Sequence, residues 1–267
     1  MQRDPAVAGK FYSANPQSLL DEVQSHVEKQ PEKVPVIGVV SPHAGFMYSG
    51  DVAGAVYSRI EIPDTLVILG PNHTGKGKPV SLMAEGTWSM PFGQAPIDTE
   101  LAQEILKASP LIHDDSSAHL YEHSLETQLP FIQYFRKNFY FVPVCLKRLS
   151  LHDCERISQA LFTAVERVGR PVLIVASSDM THFESHASAS RKDRQCIDQI
   201  LKRDAQGLYE TVRQNEISMC GVNPVTVMLL YSNLRGAKDC SLVKYMTSGE
   251  VSGDMDRVVG YAGLIIR

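Results

Sequence analysis

The feature that most limits how this chain can fold is a unit that occurs three times: a short apolar run, then a loop carrying a histidine. Val34 to Val40 leads into Ser41-Pro42-His43-Ala44-Gly45-Phe46-Met47-Tyr48-Ser49-Gly50. Thr65 to Leu69 leads into Gly70-Pro71-Asn72-His73-Thr74-Gly75, and Pro171 to Ser177 into Ser178-Asp179-Met180-Thr181-His182. Apolar runs of this length are the pattern of strands buried on both faces, as in a parallel sheet. Open α/β sheets carry their chemistry beyond the carboxyl ends of such strands. Core packing does not require three strand ends that each deliver a histidine, so the pattern predicts one shared site.

Between these units strands and helices alternate, which predicts a single domain over 1–267. The expected architecture is a three-layer α/β/α sandwich with a mainly parallel or mixed central sheet. Asn15-Pro16 reads as a helix opening, with the cap residue before a proline at the first helical position. Residues 1–14 read as irregular, anchored by Phe11 and Tyr12. Lys76 to Thr87 reads as an edge strand, followed by a loop around Trp88 to Gly93. Cys240–Thr247 and Arg257–Ile266 are the expected antiparallel strands. A net charge of −4 offers no footprint for nucleic acid or anionic lipid. No apolar run approaches the ~20 residues of a membrane span, and the first residues lack the apolar core of a secretion signal. Five cysteines, odd in number and without CxxC spacing, favour a reduced, cytoplasmic chain.

Neutral imidazole is the commonest metal ligand and general base near pH 7. His26, His152 and His186 lie in or beside helices without an evident partner and read as ordinary side chains. His43, His73 and His182 share a context and read as the site. Asp179, three residues before His182, pairs with it as a carboxylate orienter or caps the following turn. Tyr48 either points its phenol into the same cleft or packs beneath it. Asn72-His73-Thr74 matches a glycosylation acceptor, a reading its sheet-edge position removes. Gly70, Gly75 and Gly77 make a turn without the Lys-Ser/Thr ending of a phosphate loop. His119-Leu120-Tyr121-Glu122-His123 matches the H-x-x-E-H zinc-protease pattern, but its polar flanks suggest a loop where that motif needs a regular helix. Cys220 stands just ahead of a helix start, a position that favours thiolate, although a buried inert thiol is the commoner case.

With these residues in hand, the chain resembles the Memo family, the Memo-like component of the AmmeMemoRadiSam system. The resemblance runs through Pro5 to Tyr12, Ser41 to Gly50, Leu69 to Gly75 and Glu122-His123-Ser124-Leu125-Glu126. It continues through Ser177 to Phe183, Met219-Cys220-Gly221 and Gly260-Tyr261-Ala262-Gly263. It implies a fold like that of the class III extradiol dioxygenases, with a non-haem iron site at one sheet edge. It also implies His43, His73 and Cys220 as metal ligands, the cysteine standing where those dioxygenases have a carboxylate. His182, Asp179, His123 and Tyr48 are then the catalytic candidates, and Glu126 and Asn72 line the cleft. His119 falls outside the family pattern, so His119→Ala is expected to leave metal content and stability nearly unchanged. Iron(II) is the expected cofactor, with copper or zinc also suited to the donor set. The expected function is a redox enzyme acting on a small molecule or modified residue; the alternative is a peptide- or protein-binding module using the same cleft. Partners in a radical-SAM-associated system follow from the family's name.

Overall fold

The computed structural model describes residues 1–267 and places the three apolar runs side by side in one sheet. In chain order the strands are β1 (Gln2–Arg3), β2 (Gly38–Ser41), β3 (Thr65–Pro71), β4 (Val80–Leu82), β5 (Thr87–Met90) and β6 (Gly93–Pro96). They continue with β7 (His113–Asp114), β8 (Tyr140–Leu146), β9 (Val172–Ser177), β10 (His182–Glu184), β11 (Cys240–Thr247) and β12 (Val258–Ile266). The helices are α1 (Pro16–His26), α2 (Phe46–Ser58), α3 (Thr99–Ala108), α4 (Leu129–Phe135) and α5 (Leu151–Val168). After them come α6 (His186–Leu201), α7 (Ala205–Gln214), α8 (Val222–Leu234) and the short α9 (Gly249–Ser252).

The main sheet runs β10-β12-β2-β9-β3-β8-β4-β7, with β11 also paired to β12. Its centre, β2-β9-β3-β8, is parallel, while β12 joins β2 and β11 antiparallel. Successive side chains of a strand point to opposite faces, and here both faces are covered. Val40, Val67, Leu69, Ile174 and Ala176 pack with α3, α5, α6, α7 and α8. Val39, Leu66, Ile68, Leu173 and Val175 pack with α1, α2 and α4. The result is a three-layer α/β/α sandwich.

Three local readings are corrected. Strand β2 begins at Gly38 rather than Val34, because Pro35 has no N–H to donate and Val34 makes only an isolated bridge to Ile60. Trp88 to Gly93 is not a loop: β5 and β6 form a hairpin, joined by β1 into a separate three-stranded sheet. Burial there alternates, with Trp88 and Met90 inward. Nor is β4 the sheet edge, since β7 pairs outside it. Asn15 caps α1 as expected, its side chain accepting from the N–H groups of Gln17 and Ser18. No helix is long and apolar enough to cross a membrane.

Candidate functional site

Because β2, β9 and β3 are parallel neighbours, they end at the same edge of the sheet. Two residues past each end stands a group able to bind a proton or a metal: His43 after Ser41, Asp179 after Ser177 and His73 after Pro71. His123 joins them from the loop before α4. The imidazoles of His43, His73 and His123 each offer a nitrogen, and these three atoms lie within 4.8 Å of one another. The His43 ring meets the other two edge-on, whereas His73 and His123 stack at 4.6 Å and 21°. Such a group could hold a metal ion.

Hydrogen bonds fix which nitrogens face the cluster. The Ser177 hydroxyl donates its one proton to the Ser124 carbonyl at 2.6 Å. It therefore accepts from Gln128 Nε2 and from His43 Nδ1, at 2.9 and 2.8 Å. Nε2 of His43 is left with its lone pair free. His73 Nδ1 donates to Glu122 Oε1 at 2.9 Å, and the same carboxylate accepts the backbone N–H groups of His73, His123 and Ser124. Burial alone would raise the Glu122 pKa, but the His73 bond and charge and the Ser124 N–H bring it down to about 2. A carboxylate behind a ligand imidazole, fixing its tautomer, is the usual support of a metal-binding histidine. Burial, then the neighbouring imidazoles, holds His43 well below the ordinary histidine range. Burial likewise lowers His123.

On the other side of His43 stand two groups that can become anions. Cys220 Sγ is 3.3 Å from His43 Nε2 and accepts the Asp179 N–H at 3.3 Å. Asp179 accepts the His43 N–H at 2.8 Å, and its second oxygen is 3.9 Å from His43 Nε2. The cysteine gets there because Gly221 lies against the Ser177 carbonyl and the Ser178 side chain, where a Cβ would clash. Burial, then the Asp179 carboxylate, pushes the Cys220 thiol up, and burial also raises Asp179. Without an ion, burial keeps Cys220 a neutral thiol, its sulfur 3.3 Å from His43 Nε2 and 3.6 Å from the Asp179 carbonyl, which can accept its proton. Cys220 is not in the set of donor atoms lying within 4.8 Å of one another.

His182 opens β10, and its Nδ1 donates to the Ser218 carbonyl at 2.9 Å. Ser218, not Asp179, orients this ring, because the Asp179 carboxylate is turned back onto the His43 backbone. Tyr48 is half-buried in a groove with Phe11, whose ring meets His123 edge-on at 4.9 Å. Asn72 lines a groove beside His73, but its amide is engaged by Gly75, Thr74 and Lys76 in folding the loop. Glu126 does not line the cleft. It is fully buried and accepts from Arg3, the Ala6 and Val7 N–H groups and Tyr12, which ties residues 3–12 beneath the site. His119 stays outside the cluster and is completely buried, edge-on to Trp88 at 5.9 Å. The expectation that its loss leaves stability unchanged is therefore corrected, since deleting it would empty a cavity. Sequence reasoning missed the roles of Gln128 and Ser218, which carry no motif, of Ser177, read only as the end of the third apolar run, and of Glu122, whose place next to His123 was the available signal.

A sequence model of the Memo-like protein family matches residues 3–265. A MEMO1 family protein of Methanopyrus kandleri is 41% identical over 281 residues, covering 100% of this chain and 99% of its own. One from Methanothermobacter thermautotrophicus is 42% identical, covering 99% and 100%. The crystal structure of an uncharacterized protein from Escherichia coli K12 shares the fold, with a TM-score of 0.59 at 12% identity over 85% of this chain and 98% of that one. With matches that run from end to end, the chain belongs to the Memo family.

Proposed function

We propose that the chain is a metal-dependent enzyme of redox type, with iron(II) as its ion and a small molecule or modified residue as substrate. The observation that carries this is the cluster of three imidazoles within 4.8 Å, in which the Nδ1 atoms of His43 and His73 are already held by Ser177 and Glu122. Nitrogen donors of fixed tautomer beside a thiol and a carboxylate fit a divalent transition metal. His43 and His73 would hold it. His123, stacked on His73, offers the third nitrogen of the cluster. The family resemblance favours Cys220 in that third place, as thiolate, its sulfur 3.3 Å from His43 Nε2 with Asp179 next to it. Iron(II) would supply one-electron chemistry and open coordination positions. His182, held through Nδ1, would take or give a proton at Nε2. The five free cysteines support a reducing compartment.

The test is metal analysis of protein purified without oxygen or chelators. Near-stoichiometric iron is expected, lost in His43→Ala, His73→Ala and Cys220→Ser but kept in His123→Ala. Cys220 should resist alkylation until a chelator removes the ion, because coordination occupies its lone pair. Iron lost in His123→Ala but kept in Cys220→Ser would put His123 in the cysteine's place. Stoichiometric zinc would remove the redox reading. A reproducibly metal-free protein would favour a binding module, a reading supported by exposed Met47, Tyr121 and Phe183 next to site residues.

A further inference from the structure

We propose that a small organic anion, a carboxylate or a phosphate monoester, binds in the groove between the His73 loop and the chain from α7 to α8. The groove has a volume of about 580 Å³, and His73 and Cys220 form part of its wall, so it is continuous with the histidine cluster. Lys147, Arg148 and Arg213 line it, against one carboxylate, Glu216. On a chain of net charge −4 this is a local reversal of sign. Four cations elsewhere meet carboxylates: Arg3 with Glu126, Arg59 with Glu28, Arg170 with Asp98 and Arg267 with Asp239. The groove cations do not. Lys147 Nζ donates to the carbonyls of Gly75 and Gly77, at 2.7 and 2.6 Å, and Arg213 Nη1 to the Tyr209 hydroxyl at 2.6 Å. Arg148 is exposed and its guanidinium makes no bond within the chain.

The rest of the wall decides the kind of anion. Val212, Ile217 and Met219 show only their edges to the groove, so its apolar surface, which an inorganic ion would leave uncovered, is chiefly Val222 and the aliphatic stems of Lys147, Arg148 and Arg213. The ligand therefore has an organic body against these side chains and its charge against Arg148 and Arg213. Its reacting end faces His73 and Cys220; that orientation rests on the metal reading above. The start of α8, uncapped by any side chain, adds the same sign of potential. The groove of similar size lined by Lys33, Pro35, Pro63 and Pro171 lies at the opposite ends of the central strands, away from every site histidine.

Equilibrium dialysis of the protein as purified against radiolabelled benzoate tests this, with phenyl phosphate and the neutral benzamide as competitors. Benzoate is expected to bind more weakly at high salt. Phenyl phosphate should displace it, and benzamide should be at least fivefold less effective. The Arg148→Glu, Arg213→Glu double variant changes two exposed residues and should lose at least tenfold in benzoate affinity. Chelator-treated protein should still bind benzoate, which separates the cations from any ion as the anchor. Equal competition by benzamide, unchanged affinity in the double variant, or loss of binding on chelation would each overturn the proposal. Benzoate binding by a protein that never carries metal would sink the metal reading and leave this one standing.

Discussion

Two imidazoles four residues apart end in opposite circumstances. His123 borders the cluster, while His119 is sealed beneath it with neither ring nitrogen hydrogen-bonded. Burial, then the Arg3 guanidinium, lowers the His119 pKa to about 4. The unfolded chain takes up this proton near pH 6.5, the folded chain only near pH 4, so stability falls as the pH drops through that window. The shift corresponds to about 3 kcal/mol once the pH is below both values. His119→Phe keeps an aromatic ring against Trp88 and removes the proton site. Its urea midpoint should be close to wild type at pH 8 and higher at pH 4.5. His119→Ala should lose about 2–4 kcal/mol at pH 8 through the cavity it leaves, and less than that at pH 4.5, where wild type carries an acid penalty that the variant lacks. Equal acid sensitivity in wild type and His119→Phe would mean that other groups govern the response.

The helices depend on close approach as much as on apolar faces. Gly50 and Gly54 of α2 face the end of α1, where a Cβ on Gly50 would meet the His26 ring and one on Gly54 the His26 backbone carbonyl. A ring can swing aside at the expense of its 2.7 Å bond to Asp51, whereas a backbone carbonyl cannot. Gly54→Ala should therefore lower stability by about 1–3 kcal/mol, despite alanine's better helix propensity, and Gly50→Ala by less. Thermal unfolding of the two variants compares them directly. The strand ends at His43 and His73 were legible in the sequence because each apolar run stops at a glycine, proline or serine turn, but the third imidazole of the cluster is His123 and not the His182 that the same pattern offered. The β5–β6 hairpin was not, since Pro91 and Phe92 gave no ordinary hairpin turn signal. Neither was the role of Glu126, because a buried carboxylate is set by partners more than a hundred residues away; its bond to Arg3 spans 123. Cys220 was assigned through the family resemblance; locally, only its place ahead of α8 pointed to it.

At the scale of the whole molecule, an ion that binds only the folded cluster must stabilise the fold. At a hundredfold excess over its dissociation constant the gain is about 2.7 kcal/mol. For a chain of this size that corresponds to a rise of roughly 5–10 °C in the melting midpoint. Anaerobic iron(II) should produce the rise in wild type and not in His43→Ala or His73→Ala; a rise of equal size in all three would place the ion elsewhere. The order β2-β9-β3 has a consequence for how the protein comes to be loaded. Strand β9 sits between two strands that precede it by about a hundred residues or more, and His43 and Cys220 are 177 residues apart. Closing loops of that length gains nothing until the sheet is built and α8 has docked. An ion held by this cluster would therefore arrive as a tenant in a finished cage and could not serve as the nucleus around which the chain gathers. A nascent chain that meets metal too early offers nine histidines and five cysteines with no geometry to choose among them. Delivery after folding is the route this topology imposes.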